Sequence, residues 1–207
     1  MKRVKLIVLE GIDGSGTTTQ VNLLHDYLKS LSKYNDVLTT HEPWRSEEIK
    51  EILKNDSDPF SKGNRLVHLY VDDRKKHLEK LIIPALEQGC FVVCDRYSLS
   101  TYAYQMAQGV SLELIRKLHA EVINPDLTFF VDVDYNVAKK RILARGEKLE
   151  KFEKDEEFTK NLINNYRRLV LGSGENISLL GEVVKVNGNN SIREVGDEII
   201  KNLQDYL

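Results

Sequence analysis

The sequence of 207 residues is poor in the residues that mark several classes of protein. It contains 2 cysteines, 4 prolines and 12 glycines, which excludes a disulfide-rich secreted fold, a collagen-like chain and a proline-rich disordered chain. Positive and negative side chains nearly balance, and the net charge is −2. Such a balance does not favour nucleic acid or an anionic membrane as a partner.

Long apolar runs are also missing. No stretch approaches the roughly 20 residues of a membrane-spanning helix, and the N-terminal sequence becomes glycine-rich too early for a secretory signal peptide. Cys90 and Cys94 lie in one apolar run, on one face of a predicted strand, and are expected to be reduced thiols buried in the core. These features predict a single-domain cytoplasmic protein that is long enough to bury its own core.

Short apolar runs alternate with longer amphipathic segments, the pattern typical of βαβ folds. We predict a doubly wound α/β fold with a five-stranded parallel sheet and helices on both faces, because the runs are apolar on both sides. The strands are expected at 4–9, 37–40, 90–94, 127–133 and 183–186. Helices are expected at 18–31, at 63–87 with a kink at Pro84, from Ser111 onward and at 192–207. In the first helix, Leu24, Leu28 and Leu31 are predicted to form the buried face.

The most informative motif follows the first predicted strand and opens the first predicted helix. It runs from Gly11 to Thr18 as G-I-D-G-S-G-T-T. Glycine permits the left-handed turns of such a loop, and successive N–H groups at a helix N-terminus bind phosphate oxygens. The phosphate-binding pattern G-x-x-x-x-G-K-[ST] is matched except that Thr17 occupies the lysine position. For the loop alone, a glycine-rich turn without a ligand is the alternative interpretation.

Further motifs follow the loop in a characteristic order: Glu42-Pro43, Leu69 to Arg74, Asp95-Arg96-Tyr97 with Ser100-Thr101, and Ala103-Tyr104-Gln105. Together with Gly11 to Gln20 they resemble the thymidylate kinase family, whose members phosphorylate dTMP with ATP. The resemblance implies a P-loop NTPase fold in one kinase domain over residues 1–207, a homodimer, and ATP with Mg²⁺ as the phosphoryl donor.

The resemblance also implies where ATP and Mg²⁺ bind. ATP is expected on the loop residues Gly11, Ile12, Asp13, Gly14, Ser15, Gly16, Thr17, Thr18 and Thr19, and Mg²⁺ on Thr18 and Asp95. Asp95 follows an apolar run, so its carboxylate is placed at the carboxyl end of a strand, where a magnesium-binding acid belongs. A strand-end cap is the alternative interpretation of Asp95.

Ten residues are expected to contact dTMP: Asp13, Glu42, Arg45, Tyr70, Arg74, Arg96, Ser100, Thr101, Tyr104 and Gln105. Arg96 offers a two-pronged donor to the acceptor phosphate. Tyr70 and Arg74 are four residues apart on one helix face, where a ring can stack on the pyrimidine and a guanidinium can donate to its O4. An aromatic on a helix also fits a core position, and Arg45 is either a second phosphate clamp or a surface arginine.

The resemblance assigns the sugar and the base edge to three of these residues. Tyr104 is expected to pack against the deoxyribose, and Asp13 to accept a hydrogen bond from its 3′-hydroxyl. Gln105 or a neighbouring hydroxyl is expected to meet N3 of the base.

Thr17 is the main departure from the family pattern, because a short neutral side chain cannot replace the ammonium of the loop lysine. Residues 139–160 carry fourteen charges and resemble, at Arg145-Gly146 and Glu150-Lys151, the lid of the bacterial-type branch. The segment, at about 141–156, is predicted to be a mobile lid or, alternatively, a solvated helical face. The expected catalytic residues are Asp13, Arg96, Arg145, Lys148 and Lys151.

Three kinds of explanation of Thr17 stay open at this point: a lid cation replaces the lysine, the enzyme is slow, or the position was altered deliberately or the protein no longer catalyses. From the family resemblance, we predict that the protein is a dTMP kinase. The alternatives are a kinase of another pyrimidine nucleotide or deoxynucleoside and a nucleotide-binding protein with little turnover, since a phosphate-binding loop alone serves many activities.

Overall fold

The computed structural model describes residues 5–146, 149, 151–171 and 180–207. The strands are β1 (Leu6–Glu10), β2 (Val37–His41), β3 (Phe91–Asp95), β4 (Leu127–Asp132) and β5 (Glu182–Asn187). The helices are α1 (Thr17–Leu31), α2 (Glu47–Asn55), α3 (Gly63–His77), α4 (Ile83–Glu87), α5 (Ser98–Ala107), α6 (Leu112–His119), α7 (Tyr135–Ala144), α8 (Lys151–Lys154), α9 (Glu156–Val170) and α10 (Ile192–Gln204). A 3₁₀ turn covers Pro59–Lys62, and a π-helical turn covers Leu78–Ile82.

All five strands are parallel and lie in the order β2-β3-β1-β4-β5. The central strands β1 and β4 are buried along their whole length, whereas the edge strands β2 and β5 are partly exposed. The chain crosses from one side of β1 to the other after β3, so the carboxyl ends of β1 and β3 meet beside the crevice where ligands of such sheets bind. The predicted doubly wound parallel fold is confirmed.

Alternate side chains of the strands pack against different helices, as the period of two requires. Ile7 and Leu9 of β1 pack with residues of α1 and α10 on one face. Leu6 and Val8 face the opposite side, where they pack with residues of α3 and of the π-helical turn. A further cluster on α5 and α9 encloses Tyr166 and covers Phe130 of β4. The sheet is therefore covered by helices on both faces.

Several expectations about individual residues are wrong. Leu24 and Leu28 are buried, but Leu31 at the end of α1 is 46% exposed because the helix runs past the edge of the sheet core. Cys94 is fully buried in β3, whereas Cys90 precedes the strand and is only partly buried. The expected pair of core thiols is therefore one core thiol and one partly exposed thiol.

The predicted helix at 63–87 is interrupted earlier than expected. The π-helical turn at Leu78–Ile82 lies before Pro84 and lets the chain continue without the N–H that proline lacks. Gly89 follows with a φ of +82° and ends the segment, as predicted. Helices α2, α5 and α9 are not among the predicted helices, although α2 and α9 each begin after an N-cap side chain, Ser46 and Asp155, that accepts a backbone N–H.

Among the described helices, none combines the length and the apolar character needed to cross a bilayer.

The contrast between Leu28 and Leu31 supplies a test of the fold. Leu28→Ala removes a fully buried side chain and should lower the free energy of unfolding by about 2–5 kcal/mol, whereas Leu31→Ala should cost less than about 1 kcal/mol. Urea denaturation of the two variants measures the difference. Equal losses would contradict the placement of α1 against the sheet.

Candidate active site

The loop between β1 and α1 has the conformation that phosphate binding requires. Gly14 and Gly16 have φ values of +80° and +97°, in the left-handed region, and a Cβ at Gly14 would lie 2.5 Å from the Ala138 carbonyl oxygen. Gly16 is the N-cap of α1, and the first turn of that helix contains no acidic residue. The positive end of the helix dipole is therefore uncompensated by a carboxylate of that turn, and it favours a bound anion.

Thr18 and Asp95 meet beside this loop. The Thr18 hydroxyl donates to Asp95 Oδ2 at 2.5 Å, although the residues lie 77 positions apart. The other oxygen, Asp95 Oδ1, is buried without a hydrogen-bond partner among the described residues. A hydroxyl and a carboxylate with an unused oxygen fit the hard oxygen ligands that Mg²⁺ prefers. Within the described ranges no group of three or more His, Cys, Asp or Glu side chains forms a metal site, so an ion here would need oxygens from a nucleotide or water as well.

A cavity of about 830 Å³, open to solvent, lies next to the loop. A cleft into which a few polar side chains converge is the usual form of a site for a small ligand. The predicted residues that line it are Asp13, Glu42, Tyr70, Arg74, Arg96, Ser100, Thr101, Tyr104, Gln105 and Lys151. Nine of the ten residues expected around dTMP are therefore brought together in one place.

At one part of the cavity Arg96 forms an ion pair with the loop. Its Nη2 donates to Asp13 Oδ1 at 2.5 Å, and Nη1 donates to the Tyr104 hydroxyl, which in turn donates to Asp13 Oδ2. Burial opposes the charge of Arg96, but Asp13 more than compensates and holds the pKa of the guanidinium well above its usual value. Arg96 has a φ of +68°, a strained conformation for a non-glycine residue. Its N–H donates to the Leu9 carbonyl of β1, which holds this conformation.

Elsewhere in the wall of the cavity, Arg74 is only 1% exposed. Its Nε and Nη2 lie 2.7 and 2.6 Å from Glu42 Oε2, and Nη2 also donates to the Thr101 hydroxyl. Its Nη1 lies 2.7 Å from Nε2 of His119. The other oxygen of Glu42 lies 3.2 Å from His77 Nδ1. Glu42 therefore acts on the cavity chiefly by holding Arg74.

Gln105 and Tyr70 complete this polar part of the cavity. The amide nitrogen of Gln105 donates to Gln108, and its Oε1 is buried without a partner among the described residues. A buried acceptor in a cavity wall is suited to an N–H of a ligand. Burial raises the pKa of Tyr70 to about 12, so its ring is a neutral phenol at physiological pH.

The remaining predicted cations are placed differently. Arg45 stacks on Trp44 at 4.4 Å and lines a separate hollow on the outer side of α3, not the cavity. Arg145 lines a hollow against Ser15, Gly16 and Thr19 of the loop. Lys151 lines the main cavity, and its Nζ donates to the Asp56 carbonyl. Lys148 lies outside the described residues, as do parts of the predicted lid.

Sequence reasoning missed an aromatic contact that brings this segment to the cavity. Phe152 of α8 contacts Phe60 and Phe158 at ring distances of 4.9 Å and lies 6.1 Å from the Tyr104 ring. The only sequence signal is an aromatic side chain within the charged run.

A second missed residue, Glu10, connects β1 with α5. Its fully buried carboxylate accepts hydrogen bonds from the Tyr97 and Ser100 N–H groups and from the Ser100 hydroxyl at 2.5 Å. It thereby caps the helix that carries Thr101, Tyr104 and Gln105. A charged residue at the end of an apolar strand was the available signal.

A third missed residue, Arg141, connects the loop with the turn after β5. Its guanidinium donates to the carbonyl oxygens of Ser15, Gly188 and Asn190. Arg141 lies in α7 and is one of the fourteen charged residues of the segment 139–160, so nothing in the sequence distinguishes it from its charged neighbours.

The family described as thymidylate kinase matches residues 9–199. A probable thymidylate kinase of Pyrococcus abyssi is 36% identical over 202 residues, 94% of this chain and 93% of that protein. Thymidylate kinases of Wolbachia pipientis (subsp. Culex pipiens) and Staphylococcus epidermidis are 34% and 32% identical over 94% and 97% of this chain, and 95% and 98% of their own lengths.

The buried carboxyl of Glu10 predicts a pH dependence of stability. Burial raises its pKa from 4.5 to about 7, against the opposing effect of its hydrogen bonds with Ser100. Between these values the folded chain holds more of this proton than the unfolded chain, so the free energy of unfolding should fall as the pH rises. Glu10→Gln removes this contribution, so its stability should fall less over the same window.

Denaturant titrations of both proteins at about pH 5, 6 and 8 measure the two slopes. Parallel curves for wild type and variant would show that Glu10 ionises in the folded state as it does in the unfolded chain.

Proposed function

Because the chain belongs to the thymidylate kinase family, we propose that it transfers the γ-phosphoryl group of ATP to dTMP, giving dTDP and ADP. One observation carries the proposal. A single cavity beside the phosphate-binding loop is lined by Arg96 and Asp13, which suit a phosphate and a sugar hydroxyl, and by Arg74 and Gln105, which suit a pyrimidine edge.

In the proposed reaction, an oxygen of the acceptor 5′-phosphate attacks the γ-phosphorus of ATP. The new P–O bond forms as the bond to the β,γ-bridging oxygen breaks, and ADP leaves with that electron pair, so nothing is oxidised or reduced. Such transfer depends on positioning and on stabilising charge rather than on covalent chemistry by the protein. The loop N–H groups and the N-terminus of α1 hold the donor phosphates.

Arg96 holds the acceptor phosphate. Its guanidinium is already fixed by Asp13 and Tyr104, and a fixed fork loses little freedom when it binds a phosphate. Asp13 then accepts from the sugar 3′-hydroxyl, and the Tyr104 ring closes the space of a ribose 2′-hydroxyl. Thr18 and Asp95 would hold Mg²⁺, which would supply positive charge opposite the donor phosphates.

The base is held by the other part of the cavity. Tyr70 stacks on the pyrimidine, Arg74 donates to O4, and Oε1 of Gln105, which has no partner among the described residues, accepts from N3–H.

The homodimer and the cytoplasmic location stay predictions. Light scattering on the purified protein measures whether the mass in solution is twice that of the 23.8 kDa chain.

We further propose that turnover is slow, because Thr17 leaves the loop without its cation. Of the predicted lid cations, two are described beside the site: Arg145, which lines the hollow against the loop, and Lys151, which lines the cavity with Asp13 and Arg96. Loss of one preorganised donor costs about 10²–10³ in rate.

A coupled assay of ADP release with dTMP, dUMP, dGMP and thymidine tests the proposed function. We expect release to be fastest with dTMP and absent above background with dGMP and thymidine. Faster release with dUMP or thymidine would favour a kinase of another pyrimidine compound. Tight ATP binding with no release for any acceptor would favour a binding protein.

The lid hypothesis predicts coupling between Thr17 and the two cations. Thr17→Lys should raise kcat by about tenfold or more, since the defect is in the transition state rather than in ATP binding. Lys151→Ala and Arg145→Ala should lower kcat more in the wild-type background than in the Thr17→Lys background. Steady-state kinetics of this cycle are the measurement.

Lys154→Ala is the matched control, because Lys154 is exposed at the end of α8 and lines none of the cavities described above. Losses of equal size for Lys151→Ala and Arg145→Ala in both backgrounds would show that the lid does not replace the lysine.

A further inference from the structure

The guanidinium of Arg74 has five N–H hydrogens, and described protein atoms account for four of them. Nε and Nη2 face Glu42 Oε2, Nη2 also donates to Thr101, and one hydrogen of Nη1 is directed at His119. The donor left over, within the described part of the chain, is the second hydrogen of Nη1. Arg74 lines the cavity, so this hydrogen is its one remaining donor for a ligand.

The second ring nitrogen of His119 shows whether this histidine donates or accepts in its contact with Arg74. Nδ1 lies 2.8 Å from the Ile115 carbonyl oxygen, one turn earlier in α6. A carbonyl oxygen only accepts, so Nδ1 carries the hydrogen, and Nε2 of the neutral ring is the acceptor for Arg74 Nη1.

His119 keeps this neutral form, with Nε2 as the acceptor, at all pH values near neutrality. His119 is 1% exposed, and burial together with the charge of Arg74 lowers its pKa to about 3. The ring is therefore a neutral acceptor, and Arg74 remains the charged member of the contact.

The two hydrogens of Nη1 lie in the plane of the guanidinium, so fixing the direction of one fixes the other. Thr101 and Glu42 set the position of the group from the Nη2 side, and His119 sets the Nη1 side. The His119 ring also packs 4.9 Å from the Tyr102 ring. A side chain that only filled this space would leave the rotation of the Arg74 guanidinium less constrained.

We infer that His119 is a positioning residue for acceptor recognition: by accepting one Nη1 hydrogen of Arg74, it aims the other at the 4-carbonyl oxygen of the pyrimidine. This inference rests on the proposed function, in which Arg74 reads that oxygen. It assigns selectivity for the base partly to a residue that does not line the cavity.

The test compares two substitutions at one position. His119→Phe keeps a ring against Tyr102 but removes the acceptor. His119→Gln retains an acceptor, because it places an amide oxygen near the position of Nε2. We expect His119→Phe to raise the KM for dTMP by about tenfold, the range of a lost bond to a charged group, and to leave the KM for ATP within about twofold. His119→Gln should recover most of the dTMP affinity.

The second readout is selectivity, which a loss of packing alone would not change. The ratio of kcat/KM for dTMP to that for an analogue without the 4-carbonyl oxygen should fall about tenfold in His119→Phe and stay near the wild-type ratio in His119→Gln. Arg74→Lys, which keeps the charge but loses the planar fork, should reduce the same ratio at least as much.

If His119→Phe does not fold, His119→Asn replaces it, because its shorter amide can still donate to the Ile115 carbonyl but does not reach Arg74. If the ratio of kcat/KM for dTMP to that for the analogue is unchanged in His119→Phe or His119→Asn but reduced in Arg74→Lys, the positioning role of His119 is overturned. The proposed role of Arg74 would then stand. A wild-type protein that phosphorylates dTMP and the analogue equally well overturns the contact between Arg74 and the 4-carbonyl oxygen, and with it the role of His119. A wild-type protein that does not phosphorylate dTMP overturns the proposed function itself.

Discussion

A buried positive charge is the constraint on which the cavity depends. The Arg74 guanidinium is 1% exposed, and an unpaired charge at that depth would be very unfavourable. Its partners come from three other parts of the chain: Glu42 follows β2, Thr101 lies on α5 and His119 ends α6. Breaking such a buried pair typically costs about 3–5 kcal/mol, so these elements are held together around Arg74. The cavity is the space that remains beside them.

Two further connections join this cavity to the phosphate-binding loop. Glu10, at the end of β1, caps α5 through the N–H groups of Tyr97 and Ser100, and the next residue begins the loop. Asp13 of the loop pairs with Arg96, which follows β3. Because β1 and β3 are neighbours in the sheet, the proposed donor and acceptor sites lie on the same rigid pair of strands. In-line transfer between two bound nucleotides needs such a fixed relation.

The sequence was sufficient to predict the fold because its signals are local. Apolar runs, a glycine-rich turn and N-cap residues such as Ser111 each determine the structure of the few residues next to them. Nine of the ten predicted acceptor residues line the cavity for the same reason, since they belong to motifs with fixed spacing. Arg45 does not, because the neighbouring Trp44 offers its ring as a partner and the side chain turns outward.

Features that depend on contacts between distant segments could not be predicted. Leu31 has the helical spacing of a core residue, and only the extent of the sheet shows that it is exposed. Glu10 and His119 are single polar residues without a motif, and their partners lie 87 and 45 positions away. No periodicity connects such positions.

In the proposed function Thr17 affects the rate of transfer and the cavity around Arg74 determines which acceptor binds, so a binding measurement without turnover tests the central claim most directly. The measurement is calorimetric titration of the wild-type protein with dTMP, thymidine and dCMP in the absence of ATP. The account predicts one site that binds dTMP at least about tenfold more tightly than thymidine, because Arg96 holds the phosphate. It also predicts that dTMP binds more tightly than dCMP, because Arg74 donates to the 4-carbonyl oxygen that dCMP lacks. Equal affinity for the three compounds, or no binding of dTMP, would contradict it.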